Sequence, residues 1–400
     1  MAFAKSGRAM TPWTDDLRGE LRRLDELSLR RSIVTPETGQ ESHISVQGRR
    51  YTLFTSNNYL GLSTHPEVIE ASIEATRTYG TSVSASRLLC GSTPLHEELE
   101  ARLAALKSRE ACLLFSSGYL ANLGLMTAFL DSDDVIFSDR LNHASIVDGG
   151  RLSAAKVVLY DHCDPDHLES LLHETPAKRR LIVSESVFSM DGDLAPVLEL
   201  LELAERFGAL LVLDEAHATG LLGDDGAGAL SLLGISDGPI VIVGTLSKAL
   251  GSIGGFVAGD QTLISLLVSR ARSFIFNTAL HAGAVAAALE SIRLMETEPW
   301  RRERSLSLAR TLRDGIVQRG FPPSKSVTQI VPLMIGDTEE ALALDSLFRE
   351  AGVLARAIRP PTVPEGTSRI RFNVMATHDE EDINHVLGLL GPDLPPGLLS

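Results

Sequence analysis

From about Ser56 to Ala258 the chain alternates short, unbroken apolar runs with longer stretches in which apolar residues recur every three or four positions. The runs are Ala111–Phe115, Val135–Ser138, Lys156–Tyr160, Leu181–Glu185, Leu210–Asp214, Ile240–Gly244 and Gly255–Ala258. Between them Leu95–Ala105, Tyr119–Phe129 and Val197–Phe207 carry helical spacing. A strand that is apolar on both faces is covered on both faces, and helices interposed between such strands supply the cover. The pattern therefore predicts an α/β fold with a mostly parallel central sheet, and places functional residues at the carboxyl ends of its strands. Ahead of this region, Leu17, Leu21, Leu24, Leu27 and Leu29 predict an amphipathic helix over Trp13 to Ser32. Ile44–Val46 and Tyr51–Phe54 flank Gly48 as a short hairpin. Behind it, a long helix from Ala282 to Glu296, an Arg-rich helix, Gln329–Ile335, a helix at Thr338–Ala351, Val353–Ile358 and Arg369–Val374 predict a smaller α+β domain. The expected divisions are 1–55 for the helix and hairpin, 56–290 for the large domain and 291–400 for the small one. The tail 391–400 is expected to fray.

A chain of 400 residues is too long for one simple core, which agrees with two domains. Hydrophobic residues at 44% and charged residues at 22% are ordinary for a globular enzyme. The net charge of −15 leaves no basic excess with which to meet phosphates, which excludes a nucleic-acid partner. No run is long and apolar enough to span a membrane, and the N-terminus lacks the apolar core of a secretory signal. Cys90, Cys112 and Cys163 form no metal or redox motif, and an odd count suits a reducing compartment. The expectation is a cytoplasmic protein without a metal.

The chemistry concentrates after the strands. Lys248 lies in Gly244-Thr-Leu-Ser-Lys-Ala-Leu-Gly251, and an earlier strand ends in Asp214-Glu-Ala-His217. A lysine desolvated in such a turn can stay neutral and form a Schiff base with an aldehyde, and a strand-end aspartate can pair with a pyridinium nitrogen. These are the two anchors pyridoxal phosphate (PLP) requires of a protein. Ser116-Ser-Gly-Tyr-Leu-Ala-Asn122 follows a strand and opens a helix, so the amides of Ser117, Gly118 and Tyr119 can cradle a phosphate, with Thr245 adding a hydroxyl. His143, in Asp139-Arg-Leu-Asn-His-Ala-Ser145, can lie over the cofactor ring, while Ser189 and His217 can hydrogen-bond its 3-oxygen. Asn57, in Asn57-Asn-Tyr-Leu-Gly61, is either a turn residue or an amide for a substrate carboxylate. Arg359 and Arg371 are either surface ion-pair partners or bidentate carboxylate clamps.

Ser56-Asn-Asn-Tyr-Leu-Gly-Leu62, Pro94-Leu-His-Glu-Glu-Leu99, Ser117-Gly-Tyr-Leu-Ala-Asn122, Asp139-Arg-Leu-Asn-His-Ala-Ser145, Val187-Phe-Ser-Met-Asp-Gly-Asp193, Asp214-Glu-Ala-His-Ala-Thr-Gly220 and Thr245-Leu-Ser-Lys248 run in one order across almost the whole chain. Together they resemble the α-oxoamine synthases, fold-type-I PLP enzymes that condense an amino acid with an acyl thioester. The resemblance implies that Lys248 carries the Schiff base, Asp214 holds the pyridinium and His143 stacks on the ring. Ser189 and His217 then bind the 3-oxygen. Gly118, Tyr119 and Thr245 hold the phosphate, with Thr278 contributed by a neighbouring subunit of a homodimer. It maps Arg30, Asn57, Arg359, Thr362 and Arg371, together with His143, to the substrate side. Ala357-Ile-Arg-Pro-Pro-Thr-Val-Pro364 is similar to the branch that takes L-alanine and a pimeloyl thioester, carried by coenzyme A or an acyl carrier protein. Glycine-using branches have an aromatic residue where Arg359-Pro360 begins this loop. Against that branch, Gly80-Thr-Ser-Val-Ser-Ala-Ser86 is less glycine-rich than the family's usual turn, and Cys90-Gly91 echoes the acetyltransferases. The rivals are glycine and acetyl-CoA under the same chemistry, then a PLP aminotransferase or lyase on the same fold, then a non-catalytic binder.

Overall fold

The computed structural model describes residues 12–31 and 33–391. Its centre is a seven-stranded sheet built from β3 (Ala111–Phe115), β4 (Val135–Asp139), β5 (Lys156–Tyr160), β6 (Arg180–Glu185), β7 (Ala209–Asp214), β8 (Ile240–Thr245) and β9 (Gly255–Gly259). Ahead of these, β1 (His43–Val46) and β2 (Arg49–Leu53) form the hairpin. The spatial order of the large sheet is β3-β9-β8-β7-β6-β4-β5, and β9 alone runs against its neighbours. Each apolar run of the sequence has become one of these strands. Successive side chains point to opposite faces, so Leu211 and Leu213 of β7 enter one apolar layer and Val212 the other. Helices cover both layers, among them Pro94–Leu106, Gly118–Phe129 and Val197–Phe207. Because β4, β6, β7 and β8 are parallel, their carboxyl ends meet on one edge, which carries Asp139, Glu185, Asp214 and Thr245.

The C-terminal part has its own core around Phe348, Ile370 and Phe372. Its sheet has the order β10 (Ile330–Gly336), β13 (Ser368–Asn373), β12 (Arg356–Ile358). The stretch expected as one strand over Val353–Ile358 is two. β11 (Val353–Leu354) pairs parallel with β2, and β12 pairs with β13. The hairpin of the 1–55 segment thus shares a sheet with a C-terminal strand, and Phe54 packs in the C-terminal core.

The N-terminal helix covers Pro12–Glu26 and stops short of the expected Ser32. Ser28 adopts a left-handed conformation with φ 54°, and Leu29 N–H turns back to Leu24 O at 2.7 Å, which closes the helix. A helix at Glu380–Leu389, capped by Asp379, was not anticipated from the pattern. Among the described residues no helix is long and apolar enough to cross a membrane. The expected fraying of the tail lies outside the described residues from 392 onward.

Candidate active site

Lys248 follows β8 by three residues, and its amine is buried against the end of β7. Nζ lies 2.8 Å from His217 Nε2. Burial pushes the amine down to about 8, against the pull of the Asp214 and Glu185 carboxylates. His217 is held well below the ordinary imidazole value, first by burial and then by the charges of Lys248, Arg371 and His143. It is therefore neutral at pH 7. Its other nitrogen, Nδ1, lies 2.8 Å from the hydroxyl of Tyr59.

Asp214 caps β7 with 7% of its surface exposed. Its Oδ2 accepts from Asn122 Nδ2 at 2.7 Å and its Oδ1 from Ala216 N–H at 2.9 Å. Asn122 also donates to Ser145 Oγ at 3.0 Å, and Ser145 Oγ lies 2.8 Å from His143 Nδ1. A single amide thus ties the aspartate to the ring of His143, which caps the helix Ala144–Leu152. Burial lowers the His143 pKa, opposed by the nearby Asp214 charge.

Opposite Lys248, Gly118 begins the helix Gly118–Phe129, with Ser117 as its cap. Thr245 sits beside it. A Cβ on Gly118 would come within 3.3 Å of Thr245 Cβ, and one on Gly255 would fall on Gly118 N. Glycines at both positions let the helix start pack closely against the turn before Lys248, so its free amides lie beside Thr245. The Thr245 hydroxyl meets Ser247 Oγ at 2.7 Å and Gly254 O at 2.9 Å, which completes a donor set suited to a phosphate. The Tyr119 hydroxyl donates to Asp148, which leaves the backbone amide as the donor at this position.

The remaining expected residues divide. His143 and Ser189 line a cavity of about 790 Å³ whose opposite wall is Pro360, Pro361, Thr362 and Val363. Arg371 Nη2 donates to Asn57 Oδ1 at 3.3 Å, which joins those two residues beside Tyr59. Arg359 reaches back to Arg30 O at 3.3 Å. The Arg30 side chain pairs with Asp25 at 2.7 Å, and the next residue, Arg31, donates to Thr362 Oγ1 at 3.1 Å. Thr278 touches the start of the phosphate loop of its own chain, its carbonyl accepting from Ser116 Oγ at 3.1 Å.

Three contributors were not singled out from the sequence: Asn122, Tyr59 and Glu185. Glu185 ends β6 directly beside Asp214. Burial and the Asp214 charge raise its carboxyl to about 8. The signal that exposed Asp214, an acidic residue closing an apolar strand, was equally present at Glu185 and went unused.

A buried amine with a depressed pKa, a strand-end carboxylate across from it and a glycine-cleared helix start fit PLP in chemistry and placement. The model of the class I and II aminotransferase family matches residues 49–390. The chain belongs to that family. The 8-amino-7-oxononanoate synthase of Anaeromyxobacter dehalogenans (strain 2CP-1 / ATCC BAA-258) is 48% identical over 385 residues, 96% of this chain and 97% of the relative. That of Geobacter sulfurreducens is 45% identical over 380 residues, 94% of this chain and 97% of the relative. Among solved structures, serine palmitoyltransferase from S. paucimobilis with a bound PLP–myriocin adduct superimposes with a TM-score of 0.89 at 31% identity, covering 96% of this chain and 98% of that one. The 8-amino-7-oxononanoate synthase from Francisella tularensis gives 0.74 at 26% identity, covering 85% and 96%. The fold is that of the fold-type-I PLP enzymes, and PLP is the cofactor.

Proposed function

We propose that this chain is a PLP-dependent acyltransferase that condenses L-alanine with a pimeloyl thioester to give 8-amino-7-oxononanoate, carbon dioxide and the free thiol carrier. The observation that carries the reading is the cavity of about 790 Å³ that opens from His143 and Ser189 to the loop at Pro360–Glu365. Amino-acid chemistry alone needs no space running from His143 to the proline loop, whereas an acyl chain does. The relatives named 8-amino-7-oxononanoate synthase, at 44–48% identity, support the choice of substrates.

In this reading Lys248 and Asp214 would hold the two ends of the cofactor's ring system. Gly118, Tyr119 and Thr245 would hold its phosphate, Ser189 and His217 its 3-oxygen, and His143 its face. Bound there, PLP supplies an electron sink for the charge left when the amino acid loses its α-proton. The chain's own residues do the rest. Arg371 and Asn57 orient the α-carboxylate, and Arg359 with the proline loop shapes the entrance. The Lys248 amine takes the α-proton of alanine and returns one to the same carbon after the new C–C bond has formed, the thiol has left and the carboxylate has departed as carbon dioxide. A lysine with a pKa near 8 is suited to both transfers at neutral pH.

Asp214, its two oxygens oriented by Asn122 and the Ala216 N–H, would set its carboxylate against the ring nitrogen. Thr278 is proposed to serve the partner's site in a cytoplasmic homodimer. The exposed apolar residues Leu89 and Phe276, 81% and 72% accessible and flanking this region, support such an interface. Product analysis with alanine or glycine against a panel of acyl thioesters, on coenzyme A and on a carrier protein, tests the proposal. Faster turnover of glycine with acetyl-CoA would replace it with the acetyltransferase reading, and conversion of the cofactor to its amine form by the amino donor alone would make the protein an aminotransferase.

A further inference from the structure

Tyr59 is fully buried and its hydroxyl stands between the active-site histidine and an amide. It lies 2.8 Å from His217 Nδ1 and 3.0 Å from Asn57 Oδ1. Asn57 Oδ1 also receives Asn373 Nδ2 at 3.1 Å and Arg371 Nη2 at 3.3 Å, and these donors fix the oxygen end of the amide toward the phenol. Burial raises the phenol to about 12, so it keeps its single proton. His217 is neutral and so also carries one ring proton.

Two arrangements satisfy this row of groups. With the phenol proton on the Asn57 side, Tyr59 accepts from Nδ1–H of His217, and Nε2 offers a lone pair to the Lys248 ammonium 2.8 Å away. With the phenol proton directed to Nδ1, the imidazole proton moves to Nε2 and faces the pocket as a donor. An ammonium in front of His217 requires the first arrangement. An anionic oxygen there requires the second.

We propose that Tyr59 is a positioning residue that sets the tautomer of His217, swinging one hydroxyl proton between Asn57 and His217 as the group facing Nε2 changes from the Lys248 amine to the cofactor's 3-oxygen. The inference rests on the reading that Lys248 and His217 face the cofactor. A phenylalanine fills the same space and removes the swing. The groups that surround His217 and Lys248, namely Asp214, Glu185, His143 and Arg371, remain in place.

The test is Tyr59→Phe in the PLP-reconstituted enzyme, read through the pH dependence of its visible absorbance. A donor to the 3-oxygen withdraws charge that would otherwise hold the imine proton. Its loss should therefore raise the titration midpoint by about half a unit to one unit, the worth of one hydrogen bond. The same substitution placed on His217→Asn should move the midpoint no further. Tyr59→Phe removes the 3.5 Å contact of Arg371 Nη2 with the hydroxyl but leaves its 3.3 Å bond to Asn57, so the KM for alanine should change less than the midpoint implies. An unchanged midpoint, or an equal shift in the His217→Asn background, would overturn the proposal. If Tyr59→Phe does not fold, ¹⁵N shifts of histidine-labelled wild-type protein decide the matter. The His217 resonance, assigned by its loss in His217→Asn, should move its proton from Nδ1 in the apoprotein to Nε2 when PLP is added. A fixed tautomer refutes the swing. A wild-type protein with no visible band and no borohydride label on Lys248 would instead refute the reading of the site itself.

Discussion

Lys107→Met should cost about 4–5 kcal/mol of stability at pH 7, and that cost should shrink as the pH falls. Lys107 ends the helix Pro94–Leu106, and its Nζ meets Glu215 Oε2 at 2.6 Å, Thr219 Oγ1 at 2.8 Å and Ala227 O. Both side chains are within 1% of complete burial. Methionine keeps most of the volume but strands the carboxylate, whose other oxygen still accepts from Ala229 N–H at 2.8 Å. Arg109 also attracts Glu215, but its bond is to Ser236 O at 3.2 Å, so it does not take the place of Nζ. The stranded carboxyl escapes by taking a proton. Protonating a carboxyl of ordinary pKa costs about 4 kcal/mol at pH 7 and about 1 kcal/mol at pH 5. The lost bond to Ala227 O adds about 1 kcal/mol at either pH. In the variant the folded carboxyl has a raised pKa. The stability it retains is complete below the unfolded carboxyl value and is lost as the pH rises above it. Urea unfolding of holoenzyme and apoprotein at pH 5, 6 and 7 measures the effect. A destabilisation below about 1 kcal/mol, or one that does not grow with pH, would refute the claim that the pair is dry and singly compensated. Replacing both partners by apolar residues should recover much of the loss.

Lys248→Ala should abolish turnover, and borohydride reduction of the wild type followed by peptide mapping should place the pyridoxyl group on Lys248 alone. Asp214→Asn keeps the bond to Ala216 N–H but removes the charge, and kcat should fall on the order of 10²-fold, checked by steady-state kinetics. Arg371→Lys keeps the charge and loses the planar fork, so the alanine KM should rise more than kcat falls, with Arg371→Ala worse on both. Gly255→Ala would push on Gly118 N and Ser117 C, and equilibrium titration of the apoprotein should show PLP binding weakened at least tenfold while the fold persists.

Six of the seven strands of the large sheet were legible because they are buried and so spell unbroken apolar runs. The edge strand β5 was legible from its apolar run although Val157 and Leu159 are exposed. Asp214 was legible because it closes such a run with a charge, and Lys248 because it lies in the Ser/Gly turn three residues after another. What stayed hidden depends on partners distant in the chain. Asn122 reads as an ordinary helix residue until Asp214 appears 2.7 Å away. Tyr59 reads as a core aromatic until its hydroxyl meets His217, 158 residues further on. The break between β11 and β12 is invisible for a related reason: Val353–Ile358 has one continuous strand-like composition, but its two halves find partners in different sheets. The bond of Arg31 to Thr362, 331 residues further on, is likewise nothing that periodicity reports.

Strand β13 places its arginines and its apolar residues in strict alternation. Arg369 pairs with Asp191, on the loop that carries Ser189, and Arg371 meets Asn57, while Ile370 and Phe372 enter the C-terminal core. The two arginines therefore tie two distant loops, one at Asp191 and one at Asn57, to a single strand, so that strand sets the position of both. The alternation also separates two kinds of change: the arginines govern the loops the strand holds, while Ile370 and Phe372 govern the C-terminal core. Substitutions at Arg371 and Phe372 should consequently act on different observables although they are neighbours in the chain.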